Sequence, residues 1–202
     1  MTQSSPLLIG LSAVMVAVEA DAPRVLITQR ETGEDALPFG VFDPDRHRTF
    51  DLSLRGWVRE QTGFELGYVE QLYTFGDKDR ETPEATLAGT APNARVISVG
   101  YLALTPEARP AGDSFEARWQ SWYRFFPWED HRSGRPAIID AHIAPRLMTW
   151  AAGNERRLER ARAAFALDGI RWIEERVLDR YELLYEAGLV IECARAAGFP
   201  EP

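Results

Sequence analysis

The chain has 202 residues, of which 45% are hydrophobic and 27% are charged. These values are typical of a globular protein that buries one sizeable core, with a main domain and an accessory segment. The formal net charge of -8 and the pI near 5.0 exclude a surface that binds nucleic acid non-specifically, because neutralising phosphates requires a basic face.

The first predicted element is a strand. The apolar run over 7–18 lacks a basic flank and a cleavage site, and it is too short to span a bilayer. Within it, 11–18 pairs naturally with 25–29, since both segments are rich in β-forming residues and a turn sequence with Asp and Pro separates them. We therefore predict a β-hairpin, followed by polar loops.

An amphipathic helix follows the loops. From Thr49 onward the apolar residues recur at helical spacing until Gly63, which is typical of a C-terminal cap. Further strands are predicted over 68–75, 96–104 and 117–126 from their aromatic and β-branched residues.

A second helix is predicted over 137–152. Strands with a helix between them and another helix on the far side predict an α/β (α+β) domain with α/β/α layers over 1–152. The composition changes at Gly153, and 153–202 is predicted to be a helical C-terminal segment whose helices end at Gly169 and Gly188.

The order of these elements resembles the Nudix superfamily, and this resemblance implies an α/β/α sandwich with a mixed sheet. The resemblance is carried by the hairpin, Arg30, the Leu-Pro-x-Gly loop, and a helix ending in Glu-Gln-Thr-Gly-Phe, and it covers 7–150. Members of this superfamily share the box G-x5-E-x7-R-E-U-x-E-E-x-G-U. In the intact box, carboxylates at i, i+3 and i+4 share one helical face and bind divalent cations that bridge a pyrophosphate.

The box is degenerate in this chain. Placing its last glycine on Gly63 puts the three carboxylate positions on Trp57, Glu60 and Gln61. One carboxylate holds Mg²⁺ poorly, so the resemblance implies no required cofactor, with Glu60 a weak metal and catalytic candidate and Mg²⁺ needed only if the protein is hydrolytic. Trp57→Glu combined with Gln61→Glu is predicted to increase Mg²⁺ affinity.

The rest of the box also departs from the pattern. Gly56 occupies the place of the box arginine, and the loop from Gly40 to Gly56 is two residues longer than the pattern. No counterpart of the upstream glutamate is visible near Arg46, His47 and Arg48. Exchanging negative for positive charge predicts a site that attracts phosphate directly, although a core role for Trp57 and a solvated basic loop remain alternatives.

Within the superfamily, the chain most resembles Nudix-related transcriptional regulators of NAD metabolism (NAD regulators). The segments that suggest this are 37–80, 96–104 and the pair Asp130 and His131. The resemblance implies that the domain binds ADP-ribose or a related NAD metabolite with little or no hydrolysis, as a cytoplasmic homodimer. In such regulators a winged-helix DNA-binding domain follows, and we expect DNA contact only through a domain absent from this chain, and no membrane contact.

Ligand-binding residues are predicted at strand ends and in the basic loop, where an aromatic ring can stack on a base and an arginine can pair with phosphate. The set is Arg30, Arg46, Arg48, Trp57, Phe75 and Arg80. Arg30 is equally compatible with a surface role.

The remaining distinctive residues are given structural roles or none. We expect Tyr101 to pack in the core, His131 to serve in a turn or interface, and neither His142 nor the single Cys193 to act chemically.

Two other functions stay open. One is an active Nudix hydrolase of the ADP-ribose pyrophosphatase type, in which Glu60 is joined by other acidic residues. The candidates for that shell are Glu65, Asp77, Glu81 and Glu84. The other is a scaffold that uses the fold for protein contact alone.

Overall fold

The structure is a computed structural model that describes residues 6–30, 33–76, 94–109, 117–191 and 193. The chain forms two compact units, unit 1 (Met1–Trp122) and unit 2 (Tyr123–Pro202). The division lies well before the composition change at Gly153. Strand pairing ends at Ser121, and the helix predicted over 137–152 packs with the helices that follow it.

Unit 1 is built on a mixed sheet, as predicted. The order of pairing is β3-β2-β1-β6-β5, and in addition β4 pairs with β1 and β7 pairs with β2. The strands are β1 (Leu7–Glu19), β2 (Ala22–Gln29), β3 (Asp35–Ala36), β4 (Phe39–Val41), β5 (Val69–Phe75), β6 (Arg95–Leu104) and β7 (Arg118–Ser121).

The predicted hairpin is confirmed: β1 and β2 are antiparallel from Val16 opposite Val25 to Glu19 opposite Ala22. Nearer the start of β1, from Gly10 to Ser12, β4 replaces β2 as its neighbour, with Leu11 opposite Gly40. Since β1 and β6 run parallel, β1 is a central strand at this end of the sheet.

Helix α1 (Phe50–Thr62) has the predicted ends. The Thr49 hydroxyl accepts a hydrogen bond from the Leu52 N–H at 3.2 Å, and Gly63 is left-handed with φ 72. Its buried residues include Leu54 and Val58, which fall on one face because they are four positions apart.

The core of unit 1 lies between α1 and the sheet. Alternate residues of β1 are buried there, as expected for a strand with one covered face. They pack with residues of α1, β2 and β6 in a single cluster: Leu11, Ala13, Met15, Leu26, Leu54, Val58, Val99, Tyr101 and Ala103. The expected core position of Tyr101 is confirmed.

The strand predicted over 117–126 is shorter than expected. Pairing with β2 covers Arg118–Ser121, and a 3-10 turn over Trp122–Arg124 follows. The apolar and aromatic character of 122–126 reflects packing in unit 2, where Phe126 contacts the rings of Trp128 and Tyr181.

Unit 2 is helical in its described part. A π-helical turn (Ile139–Ile143) leads directly into α2 (Ala144–Ala151), which confirms the helix predicted over 137–152. The other helices are α3 (Glu155–Phe165) and α4 (Val177–Glu186), with a 3-10 turn (Glu174–Arg176) before α4.

The prediction that a helix ends at Gly169 is wrong. Helix α3 ends at Phe165, and Ala166 takes the left-handed conformation with φ 50 as its cap. The segment from Ile170 to Ile173 precedes the 3-10 turn and is not helical. At the end of α4 the predicted cap is confirmed, because Gly188 is left-handed and the Leu189 N–H bonds the Leu184 carbonyl at 2.9 Å.

A separate apolar core holds unit 2 together. It includes Ile139, Leu147, Phe165, Leu183 and Leu184, which are all at most 2% exposed. In the described part of the chain, no helix combines the length and apolarity that crossing a bilayer requires.

Candidate functional site

Two of the three box positions on α1, Trp57 and Gln61, carry side chains that bind the main chain of β4. The Gln61 amide makes two hydrogen bonds with one residue: Nε2 donates to the Phe39 carbonyl at 2.5 Å, and Oε1 accepts from the Phe39 N–H at 3.1 Å. One turn earlier, the Trp57 Nε1 donates to the Val41 carbonyl at 3.0 Å. Positions 57 and 61 face β4 together because residues four apart share a helical face.

Between these bonds, the Trp57 ring covers Gly40. A Cβ placed on Gly40 would lie 2.2 Å from Cγ, Cδ2 and Cε2 of the indole, a separation at which atoms overlap. We call this arrangement of Trp57, Gln61 and residues 39–41 the α1–β4 contact. It explains why glycine is needed at position 40, and it gives Trp57 a packing role that the sequence left as an alternative.

Glu60 lies outside the α1–β4 contact and is exposed. The neighbouring box positions are Trp57 and Gln61, which carry no carboxylate. The indole N–H of Trp57 and both ends of the Gln61 amide are engaged by main-chain groups. Within the ranges that the structure describes, no group of three or more His, Cys, Asp or Glu side chains is arranged to hold a metal ion.

Arg46 and Arg48 extend from a tight turn just before α1. The turn is closed by Asp43, whose carbonyl accepts hydrogen bonds from the N–H groups of Arg46 at 3.2 Å and His47 at 2.9 Å. Both arginine side chains are exposed, and neither forms a salt bridge with any residue in the described part of the chain. They present positive charge that is available to a ligand.

His47, between the two arginines, points toward α1 instead of solvent. Its Nε2 would lie 3.8 Å from a Cβ built on Gly56, and its buried Nδ1 has no hydrogen-bond partner among the described residues. The imidazole thus lies next to Gly56, the position that the resemblance aligns with the box arginine. From the sequence, His47 counted only as one of the three basic residues of this loop.

Arg55 performs a connecting role that the sequence did not indicate. Its Nε bonds the Asp51 carboxylate at 2.8 Å, its Nη1 bonds the Leu66 carbonyl, and its Nη2 bonds the Gly67 carbonyl at 3.0 Å. These bonds tie the segment after α1 back to the helix.

Burial first, and the Asp51 charge second, raise the pKa of the Tyr101 hydroxyl, which keeps it neutral in the core.

Arg30 and Phe75 lie at the ends of two different strands. The Arg30 guanidinium is 3.9 Å from the Glu34 carboxylate, and its side chain is 39% exposed. At the end of β5, the Phe75 ring packs against Tyr73, with centroids 4.9 Å apart. Arg80 and the acidic candidates Asp77, Glu81 and Glu84 lie outside the described residues.

The sheet register relates Phe75 to the α1–β4 contact. Phe75 is opposite Ser98 in β6, Ser98 is opposite Gly10 in β1, and Gly10 is opposite Val41 in β4. Three strand spacings separate Phe75 from Val41, a distance of roughly 14 Å. Arg30 is not part of this row, because β2 pairs with β1 from Val16 to Glu19 and not at Gly10. The structure thus spreads the predicted ligand residues across the sheet.

Asp130 and His131 of unit 2 each contact a different residue of the same unit. Asp130 binds Arg132 through both carboxylate oxygens, at 2.7 and 2.8 Å, and this hydrogen-bonded pairing lowers the pKa of Asp130. His131 stacks on Trp172 with ring centroids 4.0 Å apart. The two neighbours therefore have different partners, and the His131 ring packs within unit 2; the expectation from the sequence was a turn or interface role.

No protein-family model matches the chain, and no curated protein matches it. Among solved structures, the chain is similar to the NUDIX domain of Shewanella oneidensis NrtR complexed with ADP ribose, with 21% identity, a TM-score of 0.49, and coverage of 61% of this chain and 79% of that chain. A structure of Shewanella oneidensis NrtR matches 88% of this chain and 77% of that chain, with 18% identity and a TM-score of 0.49.

A MutT/nudix family protein from Enterococcus faecalis is similar at 26% identity, with a TM-score of 0.48 and coverage of 60% of this chain. The chain spans about half of that protein, 46% of its length. These solved proteins are what the chain is similar to.

Proposed function

We propose that unit 1 is a Nudix-like ligand-sensing domain that binds ADP-ribose or a related nucleotide diphosphate with little or no hydrolysis. The observation that carries this proposal is the α1–β4 contact. At two of the three positions where the box supplies metal-binding carboxylates, Trp57 and Gln61 instead bind the main chain of β4. The helix face that would hold cations is used to fix a loop.

The charges of the neighbouring turn support direct recognition of phosphate. Arg46 and Arg48 are exposed just before α1, and a guanidinium binds phosphate oxygens bidentately without a metal. Phe75 adds an aromatic ring at the end of β5, which could stack on a base. A ligand with a diphosphate and a base could use both kinds of side chain.

As a sensor, the domain would act by a population shift. A ligand transmits its occupancy only if it binds one arrangement of the protein more tightly than another. We propose that the two arrangements belong to a cytoplasmic homodimer of a transcriptional regulator of NAD metabolism, and that DNA is contacted by a winged-helix domain. The NrtR structures supply the parallel, since one of them is complexed with ADP ribose and another with a 27mer DNA.

The second candidate function is hydrolysis of a nucleoside diphosphate derivative. Glu60 favours it, because its carboxylate is exposed and in the box register. Mg²⁺ prefers an octahedral shell with more than one anionic ligand, so other acidic residues and the substrate phosphates would have to complete the site.

Calorimetric titration separates these functions. With EDTA present, the sensor binds ADP-ribose and releases no AMP when Mg²⁺ is restored. Mg²⁺-dependent release of AMP would establish the hydrolase instead. If ADP-ribose neither binds nor is cleaved, the proposal fails and the scaffold function remains.

A further inference from the structure

Unit 2 contains a cavity of about 650 Å³ whose lining includes none of the predicted ligand residues of unit 1. This volume is within the usual range for sites that bind small molecules. Its apolar surface comes from α2 and from the segment after α3, through Ala144, Met148, Leu167 and Ile170.

The backbone around the cavity departs from regular geometry at two places. Asp140 lines the cavity from the π-helical turn Ile139–Ile143, and π-helical turns inside helices are frequent at functional sites. On the other side, Ala166 and Asp168 are non-glycine residues with left-handed φ values of 50 and 53. The Ala166 conformation caps α3, whereas that of Asp168 is uncommon for a residue other than glycine.

One wall of the cavity is rigid. The Trp172 ring is held by His131, 4.0 Å away between centroids, and by the Arg180 guanidinium, whose Cζ lies 3.9 Å from the ring centroid. Arg180 is fully buried and binds the Glu129 carboxylate through Nε at 2.7 Å and Nη2 at 2.8 Å. A wall fixed in this way is formed before any ligand arrives, which lowers the entropy cost of binding.

The most exposed charged side chains of the cavity lining are two carboxylates, and each is paired with one arginine. The side chains of Asp140 and Asp168 are 63% and 62% exposed. The positive lining residue, Arg135, is less exposed, and its Nε and Nη2 are engaged by Asp140 and by the Phe165 carbonyl. Burial lowers the pKa of His131, which leaves that ring neutral at pH 7. The Asp168 Oδ1 retains accepting capacity, since Arg162 bonds Oδ2.

We propose that this cavity binds a small aromatic amine, with the ring against the apolar surface and the ammonium group beside Asp140 and Asp168. An apolar body suits Met148, Leu167 and Ile170. An ammonium group can bind the exposed carboxylates, because Asp168 Oδ1 keeps accepting capacity beside its pairing with Arg162. The site is independent of nucleotide binding in unit 1, so each proposal can fail without the other.

The test uses two probes that share one ring system and differ in charge. Tryptamine carries an ammonium group, and indole-3-acetate carries a carboxylate. Titration of the full chain, monitored by NMR chemical shifts of the Met148 methyl and the Trp172 indole N–H, should show saturable tryptamine binding and at least about 5-fold weaker indole-3-acetate binding. Equal affinities, or no binding of tryptamine at millimolar concentration, would overturn the proposal.

Variants connect the binding to the cavity. Asp168→Asn should weaken tryptamine binding about 5-fold and reduce its advantage over indole-3-acetate. Ala144→Phe keeps every charge and fills the apolar part, so it should weaken both probes. Glu175→Gln removes an exposed carboxylate that does not line the cavity and should leave both affinities unchanged. An Ala144→Phe variant that is folded and binds tryptamine normally would show that the amine binds elsewhere.

Discussion

The indole of Trp57 occupies the space that a side chain at position 40 would need: a Cβ on Gly40 would overlap three of its ring atoms at 2.2 Å. The two residues come from α1 and β4, and they are flanked by the hydrogen bonds of Trp57 to Val41 and of Gln61 to Phe39. Close packing between a glycine and an aromatic ring thus holds the Leu-Pro-x-Gly loop against the helix that carries the degenerate box.

The close approach of Gly40 to the Trp57 ring predicts that a side chain at position 40 destabilises unit 1. Gly40→Ala should lower the free energy of unfolding of unit 1 by about 1–3 kcal/mol, because the added methyl group forces Trp57 or β4 to move. Urea unfolding measures the loss. Gly67→Ala is the matched control, since a Cβ there meets no atom within 4 Å. If the smaller Trp57→Leu does not reduce the penalty of Gly40→Ala in a double-mutant cycle, the two residues are not coupled as described.

Restoring the box carboxylates should both destabilise unit 1 and create a cation site. The combination of Trp57→Glu and Gln61→Glu removes the Trp57 donor and places a carboxylate against the Phe39 carbonyl, at a cost of about 2–4 kcal/mol. With Glu60, the helix then carries carboxylates at i, i+3 and i+4. Mg²⁺ should therefore raise the Tm of the double variant more than that of the unaltered chain. A folded double variant whose Tm is indifferent to Mg²⁺ would place the box in another register.

The basic turn should contribute to nucleotide affinity through charge. Replacing Arg46 and Arg48 together by Gln is expected to weaken ADP-ribose binding about tenfold, because charge-assisted bonds to phosphate are lost. Arg59→Gln removes an exposed arginine from α1 and should change the affinity little. Calorimetry without metal compares the variants. Equal affinities for the double variant and the control would favour the solvated-loop alternative.

The buried ion pair of unit 2 should be costly to break from one side. Arg180 is fully buried, and Glu129 is 10% exposed at its side chain. Arg180→Ala leaves an unpaired carboxylate and should cost about 3–5 kcal/mol, whereas Arg180→Met combined with Glu129→Leu removes both charges and should cost less. Amide hydrogen exchange at Leu183 and Leu184 reports the opening of this unit. A double variant less stable than Arg180→Ala would contradict this view of the pair.

The stability of unit 2 should fall in mild acid because of His131. Burial lowers the pKa of its imidazole below the ordinary 6.5, and Arg135 and Arg180 add to this while Glu129 opposes it. The unfolded chain therefore binds a proton more readily than the folded one. The contribution is fully present above pH 6.5 and is lost as pH falls through the lowered pKa of the folded state.

Hydrogen exchange of unit 2 at pH 7.5 and about 5.5 measures this slope. His131→Phe keeps a ring on Trp172 and removes the titration, so its slope should be smaller. An NMR titration that places the His131 pKa above 6.5 would reverse the sign and refute the prediction.

Local sequence was enough to place most elements. Helix α1 begins after Thr49 and ends before Gly63, as predicted, because capping bonds involve residues within one turn. The hairpin and the strand β6 were predicted from composition and periodicity, which are also local properties of the chain. Where local signals misled, at Gly169 and over 122–126, packing with distant residues set the ends of the elements.

The sequence by itself determined that Trp57 and Gln61 stand at two of the three positions where the box pattern has carboxylates, and that the net charge is -8. Only the tertiary structure decided what the replacements do. Gln61 binds a residue 22 positions away and Arg180 one 51 positions away, and such partners leave no periodic signal in the chain. A helix pattern reports which side is apolar. It cannot report which main-chain carbonyl a glutamine will meet, because that depends on how strands far apart in sequence are paired.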